Sequence, residues 1–136
     1  MQKLITRLLG RRRYSKVDRS LIDLILITLH NTKNTDWCTD RVRNTKGQNC
    51  LFGHIHKLGS NGLHLYGKYI DGDCGGTALW DWFEANIATI YMIYPVNDGT
   101  APRYQQKTAK ERCIAFVSDI YYGKQLNTQE LIKIYK

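Results

Sequence analysis

The chain has 136 residues, of which 43% are hydrophobic and 11% aromatic, a composition that predicts one folded domain and excludes a disordered chain. Its formal net charge is +8. No apolar run approaches the roughly 18 residues that a membrane-spanning helix needs, and the four cysteines come without a secretory signal, so we expect reduced thiols in a cytoplasm.

Basic residues crowd the start of the chain, where residues 1–19 contain seven lysines and arginines and one aspartate. We expect residues 1–15 to form a basic N-terminal arm, with a short helix over Gln2–Leu9, and residues 16–136 to form a single globular domain. Such an arm favours polyanions: nucleic-acid phosphates, an acidic protein surface or an anionic membrane surface. The candidate binding residues are Arg7, Arg11, Arg12, Arg13, Lys16 and Arg19.

Helical spacing predicts the elements of the first half of the domain. Ser15 is a candidate N-cap for a helix in which apolar residues from Val17 to Leu29 occupy most faces, so we expect this helix to be central and buried on most sides. A turn follows over residues 31–36, and residues 37–43 are predicted to be a small hairpin or an extended arm. The next helix contains Leu51 and Ile55 and ends at Gly59.

The second half begins with a glycine-rich segment, residues 59–76, in which residues 63–70 form a short element of uncertain type. Thr77 is a candidate N-cap for a helix that we expect to run to Pro95. Thr108 and Glu111 form a capping box for another helix, which Gly123 ends. A last short helix is predicted from Asn127 or Thr128 through Ile134. The predicted fold class is mainly α, with a minor β-hairpin.

Several of these residues recur in an order that resembles one family. The pattern consists of Trp37, then Gly47-x-x-Cys50-x-x-Gly53, then Asn97-Asp98, then the helix that Thr108 opens. It is similar to a family of small bacterial and phage proteins classed as a domain of unknown function. The resemblance implies a helical frame, a phage-like origin, the cytoplasm of a bacterial host as the compartment, and a host-directed or anti-defence role. The arm, His54 and residues 59–76 depart from the pattern, and we expect the individual function of this chain there.

Cys50 and His54 lie one helical turn apart, as metal ligands would, and Cys38 in the preceding segment is a candidate third ligand. The spacing matches no standard zinc module, because there is no Cys-x-x-Cys pair and no His-x₃-His pair. We therefore predict no metal and no cofactor, with Cys50 as a small buried residue.

The segment from Asp71 to Thr77 suggests two further sites. Asp71, Asp73 and Gly76 fit the start of a calcium-binding loop, but position 12 is Trp82 where that loop requires glutamate. Gly75 and Gly76 before a helix could expose N–H groups to a phosphate, although the two aspartates oppose an anion. A plain loop is the favoured interpretation.

Asn97 and Asp98 admit two interpretations. With Trp37 and His54 they form a candidate ligand pocket; alternatively they form an Asx turn in which Gly99 takes a positive φ. The sequence contains no known catalytic motif. We therefore expect a non-enzymatic binding protein that uses its basic arm. The alternatives are a small enzyme or sequestering domain that binds a nucleotide in that pocket, and a structural virion or assembly component.

Overall fold

The computed structural model describes residues 14–87 and 90–124. These residues are mainly helical, with one short antiparallel hairpin, which confirms the predicted fold class. The elements are α1 (Lys16–His30), a one-turn 3₁₀ helix (Asn34–Asp36), α2 (Leu51–Gly59), β1 (Leu63–Leu65), β2 (Lys68–Ile70), α3 (Gly72–Asn86), α4 (Ile90–Asp98) and α5 (Ala109–Tyr121). The helices predicted over Gln2–Leu9 and through Ile134 lie outside the described residues. In the described part of the chain, no helix combines the length and apolar character that crossing a bilayer requires.

Helix α1 begins as its sequence predicts and packs against α5. The hydroxyl of Ser15 accepts a hydrogen bond from the backbone N–H of Asp18, at 3.1 Å. The prediction that this helix is buried on most faces is wrong, because Val17, Leu24 and Ile27 are 63%, 41% and 52% exposed. The residues that α1 does bury are Leu21, Ile22, Ile25, Leu26 and Leu29.

Helices α2 and α3 cross with their backbones in contact, and the glycine-rich segment explains how. A Cβ atom on Gly59 would overlap the carbonyl group of Gly75, and one on Gly75 would overlap the carbonyl of Gly59. A Cβ atom on Gly76 would also overlap His56 of α2, by a smaller amount. These glycines are therefore a packing surface between helices, and Trp80 and Phe83 bury the apolar part of α3 beside it.

The predicted start and end of this helical region need correction. Helix α3 begins at Gly72 and not at Thr77, and Gly75 donates its N–H to the carbonyl of Asp71 at 2.7 Å. The N–H groups of the proposed phosphate and calcium loop thus belong to a helix. Pro95 does not end the helix either: it lies within α4, and its carbonyl accepts from the N–H of Gly99 at 3.0 Å.

The β component also differs in place from the prediction. Residues 37–43 form neither a hairpin nor an extended arm: residues 39–42 are bends, Asp40 has φ 63°, and the segment has two isolated bridges, Trp37 to Asn49 and Arg43 to Asn49. The hairpin lies at residues 63–70, where Leu63 pairs with Ile70. Its turn has left-handed backbone at both Tyr66 (φ 53°) and Gly67 (φ 81°).

Helix α5 completes the core. The hydroxyl of Thr108 accepts from the N–H of Glu111 at 3.1 Å, as the capping signal predicts, and Gly123 after the helix has φ 73°. Cys113, Phe116 and Val117 are almost fully buried against α1 and α4.

Candidate functional site

Asn97 ties the 31–50 segment to the helices. Its side chain is 1% exposed; its Oδ1 accepts from the N–H of Leu51 at 3.0 Å, and its Nδ2 donates to the carbonyl of Cys38 at 3.0 Å. Leu51 opens α2, so its N–H has no partner within that helix and needs one from elsewhere. Asp98 extends the connection, because its Oδ1 accepts from the N–H of Asp40 at 3.0 Å. Asn97 thus holds the loop and the start of α2 together.

Trp37 and His54 meet on another side of this segment. Their ring centroids are 4.2 Å apart, and both side chains are buried. The Trp37 Nε1 donates to the Thr32 hydroxyl at 2.8 Å, which donates in turn to the carbonyl of Leu29 at 2.6 Å. The indole is therefore fixed by α1, and it fixes one face of the imidazole.

Two separate cavities adjoin the predicted pocket residues. One of about 400 Å³ is lined by Asp36, Asn49 and His54, and a second of about 300 Å³ is lined by Cys50 and Asp98. The structure therefore brings Trp37 and His54 together, and it places Asp98 at the other cavity. Gly99 has the predicted positive φ, 86°, but the predicted Asx turn is wrong. The Asn97 and Asp98 side-chain oxygens accept from Leu51 and Asp40, far along the chain, and the N–H of Gly99 donates to the carbonyl of Pro95 as the end of α4.

The thiols near these cavities favour the protonated form. Burial raises the pKa of Cys38 and of Cys50, because a thiolate would lose its hydration. The single S–H of Cys38 has two carbonyl acceptors within reach, those of Arg41 and Gln48, each 3.4 Å from Sγ. Among the described residues, no three His, Cys, Asp or Glu side chains are arranged to hold a metal ion.

The predicted basic residues fall mostly beyond the described range. Arg7, Arg11, Arg12 and Arg13 lie outside it, and Lys16 is exposed at the start of α1. Arg19 is already engaged: its Nη1 donates to the carbonyl of Tyr121 at 3.0 Å, and its guanidinium lies 4.3 Å from the centroid of that ring. Arg19 therefore joins α1 to α5 and has fewer donors to offer a partner.

A second group of basic residues, which the sequence pattern did not single out, follows α1 in the chain. We call it the basic loop; its members are the exposed side chains of Lys33, Arg41, Arg43, Lys46 and Lys57. Within the described residues the only salt bridge joins Arg103 to Asp119, so the basic loop has no carboxylate partner there. Arg43, His56 and Lys57 line a groove of about 520 Å³ beside it.

Arg112 is a buried cation that sequence reasoning missed. It is 8% exposed, and its guanidinium donates to the carbonyls of Val96 (3.0 Å), Asn97 (2.7 Å) and Gln106 (2.9 Å). The guanidinium satisfies the carbonyls at the end of α4, where a positive charge is favourable. The only feature of the sequence that indicates a buried Arg112 is its position on an otherwise apolar face of α5.

Comparison with protein-family models, with curated proteins and with solved structures finds no match for this chain. The resemblance described above therefore stays a prediction.

Proposed function

We propose that this protein is a non-enzymatic binding protein that engages a polyanion through its basic N-terminal arm. The observation that carries the proposal is the placement of positive charge. The arm ends beside the exposed Lys16, and the basic loop follows α1 in the chain, with no carboxylate partner among the described residues.

The distance between the two basic regions favours an extended partner. Helix α1 has 15 residues, so its ends are about 22 Å apart at 1.5 Å per residue. A partner that contacts both ends must carry negative charge over that length. About six nucleotides of one strand of a duplex span it, at 3.4 Å each. A nucleic acid is therefore the first partner to test, and the acidic surface of a protein complex is the second.

The resemblance to small phage proteins extends the proposal to a host-directed, anti-defence role. In that role the polyanion is host nucleic acid or the acidic surface of a host complex. Arg11, Arg12 and Arg13 are the first residues to test, together with Arg7 and Lys16.

The test is a binding titration at several salt concentrations, with a fluorescent oligonucleotide and with polyglutamate. In the arm variant, Arg11, Arg12 and Arg13 are replaced by glutamine. The matched control removes the same charge from three exposed lysines elsewhere, Lys68, Lys107 and Lys124. Each lost phosphate contact lowers the slope of log affinity against log salt by about 0.7 to 0.9.

We expect the arm variant to bind more weakly and with a slope smaller by about 2 to 3, while the control stays close to the wild type. Helical circular dichroism should be the same in all three proteins. An arm variant with wild-type affinity and slope would contradict the proposal, and binding to polyglutamate alone would make an acidic protein the partner.

A further inference from the structure

The groove beside the basic loop lies between that loop and α2, and the fold fixes the loop in place. The carbonyl of Val42 accepts from the N–H of Cys50 at 2.9 Å. Arg43, the next residue, forms an isolated bridge with Asn49. Gly53 lets the loop lie directly on the helix, because a Cβ atom there would overlap the Val42 carbonyl and the Asn49 side chain. The backbone that carries Arg43 is therefore held against α2.

Helix α2 supplies the other side of the groove. Phe52, His56 and Ser60 follow one another at intervals of four residues, and Gly53 and Lys57 form the adjacent row. Residues at this spacing lie on the same side of a helix. The space between this side of α2 and the loop is about 520 Å³, within the range of small-molecule sites. The groove is thus large enough to hold a ligand and not only a counterion.

Among the described residues, the charged side chains that line the groove are both positive. Arg43 and Lys57 are exposed and line it, and no aspartate or glutamate does. Asp36 belongs to the lining of the neighbouring cavity, which shares Lys57 with the groove. Neither cation forms a salt bridge within the part of the chain that the structure describes. The lining therefore favours an anion over a neutral molecule.

Rings lie beside these cations, which distinguishes the groove from a plain basic surface. Phe52 and His56 are half-buried and line the groove, with ring centroids 5.9 Å apart and planes inclined by 29°. The Trp80 ring supports Phe52 edge-on, with centroids 4.3 Å apart. Proteins that bind single-stranded nucleic acid combine a positive groove with aromatic side chains on which bases stack. The groove contains both parts.

The rings also separate the possible anions. An acidic peptide would pair with Arg43 and Lys57 but offers no base to stack on Phe52. A duplex offers phosphates, but its bases are stacked on one another, and bases that stack on aromatic side chains are unstacked ones. A single strand supplies phosphates and accessible bases together.

We propose that this groove holds a segment of single-stranded nucleic acid, with a base on the rings of Phe52 and His56 and backbone phosphates at Arg43 and Lys57. The inference rests on the proposed polyanion function and names the class of polyanion. Its residues are separate from the arm, so the arm and the groove can be tested one without the other.

The test measures the affinity of the full-length protein by fluorescence anisotropy. The probes are a short single-stranded DNA, the same strand in a duplex, an abasic strand of the same length, and polyglutamate. Phe52→Leu removes the ring and keeps apolar volume beside Trp80. We expect it to bind the intact single strand about fivefold to 100-fold more weakly and the duplex and abasic strand as the wild type does. Phe52→Tyr keeps the ring and should retain wild-type affinity for every probe.

A charge variant tests the phosphate contacts. Arg43→Gln with Lys57→Gln changes only exposed side chains, so we expect the fold to be unaffected. It should weaken binding of the intact and abasic strands alike and lower the slope of log affinity against log salt by about 1.4, at about 0.7 for each phosphate contact. Lys107→Gln with Lys124→Gln is the matched control, since it removes the same charge from exposed residues elsewhere and should bind as the wild type does.

The groove and the arm can fail separately. Groove variants with wild-type affinity, beside an arm variant that loses binding, would overturn this inference and leave the polyanion function standing. The reverse result would support the groove and contradict the role of the arm. Equal loss of intact and abasic strands in Phe52→Leu, or binding of polyglutamate alone, would also overturn the inference. If circular dichroism shows that Phe52→Leu does not fold, His56→Gln makes the same test at the second ring, with the same expected result.

Discussion

The crossing of α2 and α3 and the 31–50 segment lie side by side but are held by opposite means. At the crossing, glycines let two backbones touch, and Trp80 and Phe83 supply apolar burial beside them. The 31–50 segment has little regular structure, and polar bonds from residues far along the chain fix it, chiefly from Asn97.

The difference has a physical consequence. Close backbone contact tolerates no added atom, so a single methyl group at the crossing disturbs the whole domain. A polar connection fails in another way: removal of one amide leaves buried backbone groups unpaired, while the helices can stay packed. A substitution at the crossing of α2 and α3 should therefore destabilise the whole domain. A substitution that removes a polar bond to the 31–50 segment should first loosen that segment.

Asn97→Ala should have the largest effect. It leaves the N–H of Leu51 and the carbonyl of Cys38 without their side-chain partner, at about 1–3 kcal/mol each, so we expect a loss of about 2–5 kcal/mol in the free energy of unfolding. Urea unfolding measures the loss, and hydrogen exchange should rise first at Cys38 and Leu51. Asn34→Ala, an exposed asparagine in the same segment, is the control and should stay within about 0.5 kcal/mol.

Gly75→Ala tests the crossing. The added Cβ would overlap the carbonyl of Gly59, so we expect a loss of about 2–3 kcal/mol and faster hydrogen exchange throughout the domain. Thr77→Ala, two residues along the same helix and exposed, should be neutral or slightly stabilising. Wild-type stability in Gly75→Ala would mean that the two helices are less close than the structure has them.

The stability of the wild type should depend on His54 below about pH 6.5. Burial lowers the folded pKa, so the unfolded chain takes up the proton more readily, and the free energy of unfolding falls as the pH drops from about 6.5 toward the folded pKa. Asp36 and Lys57 are the charged groups that face the ring. In His54→Gln the loss between about pH 7.5 and about pH 5 should be smaller than in wild type, whereas the exposed control His64→Gln should lose as much. Equal losses in all three proteins would refute this assignment.

Tyr66→Asn should have the smallest effect, and a stabilising one. Tyr66 has φ 53° at a two-residue hairpin turn, followed by Gly67, and asparagine adopts that backbone conformation more readily than tyrosine does. We expect a gain of about 0.5 kcal/mol, seen as a rise in melting temperature. Phe at the same position is the control and should leave stability near the wild-type value, since it keeps the ring and the unfavourable backbone.

The sequence predicts those parts of the fold whose signals are local. The Ser15 and Thr108 caps and the helical spacing of α1, α2 and α5 depend on neighbours within four residues, and the structure has them as predicted. The start of α3 could not be predicted this way. Gly75 and Gly76 disfavour a helix locally, and only contact with a distant helix makes them favourable there.

In the candidate site, too, the local features were predictable and the long-range contacts were not. Cys50 was correctly predicted to be a small buried residue. That Asn97 would bond to the first N–H of α2 depends on a residue 46 positions away, and the burial of His54 depends on its packing against Trp37. No local pattern contains that information.

The long-range bonds of Asn97 also bear on how the chain is made. Its partners precede it by 46 and 59 residues, so during synthesis Cys38 and Leu51 leave the ribosome well before Asn97 does. Closing so long a loop is slow compared with forming a helix. We expect the 31–50 segment to be the last part of the domain to order, and the nascent chain to expose Trp37 and the thiols of Cys38 and Cys50 until α4 has been translated.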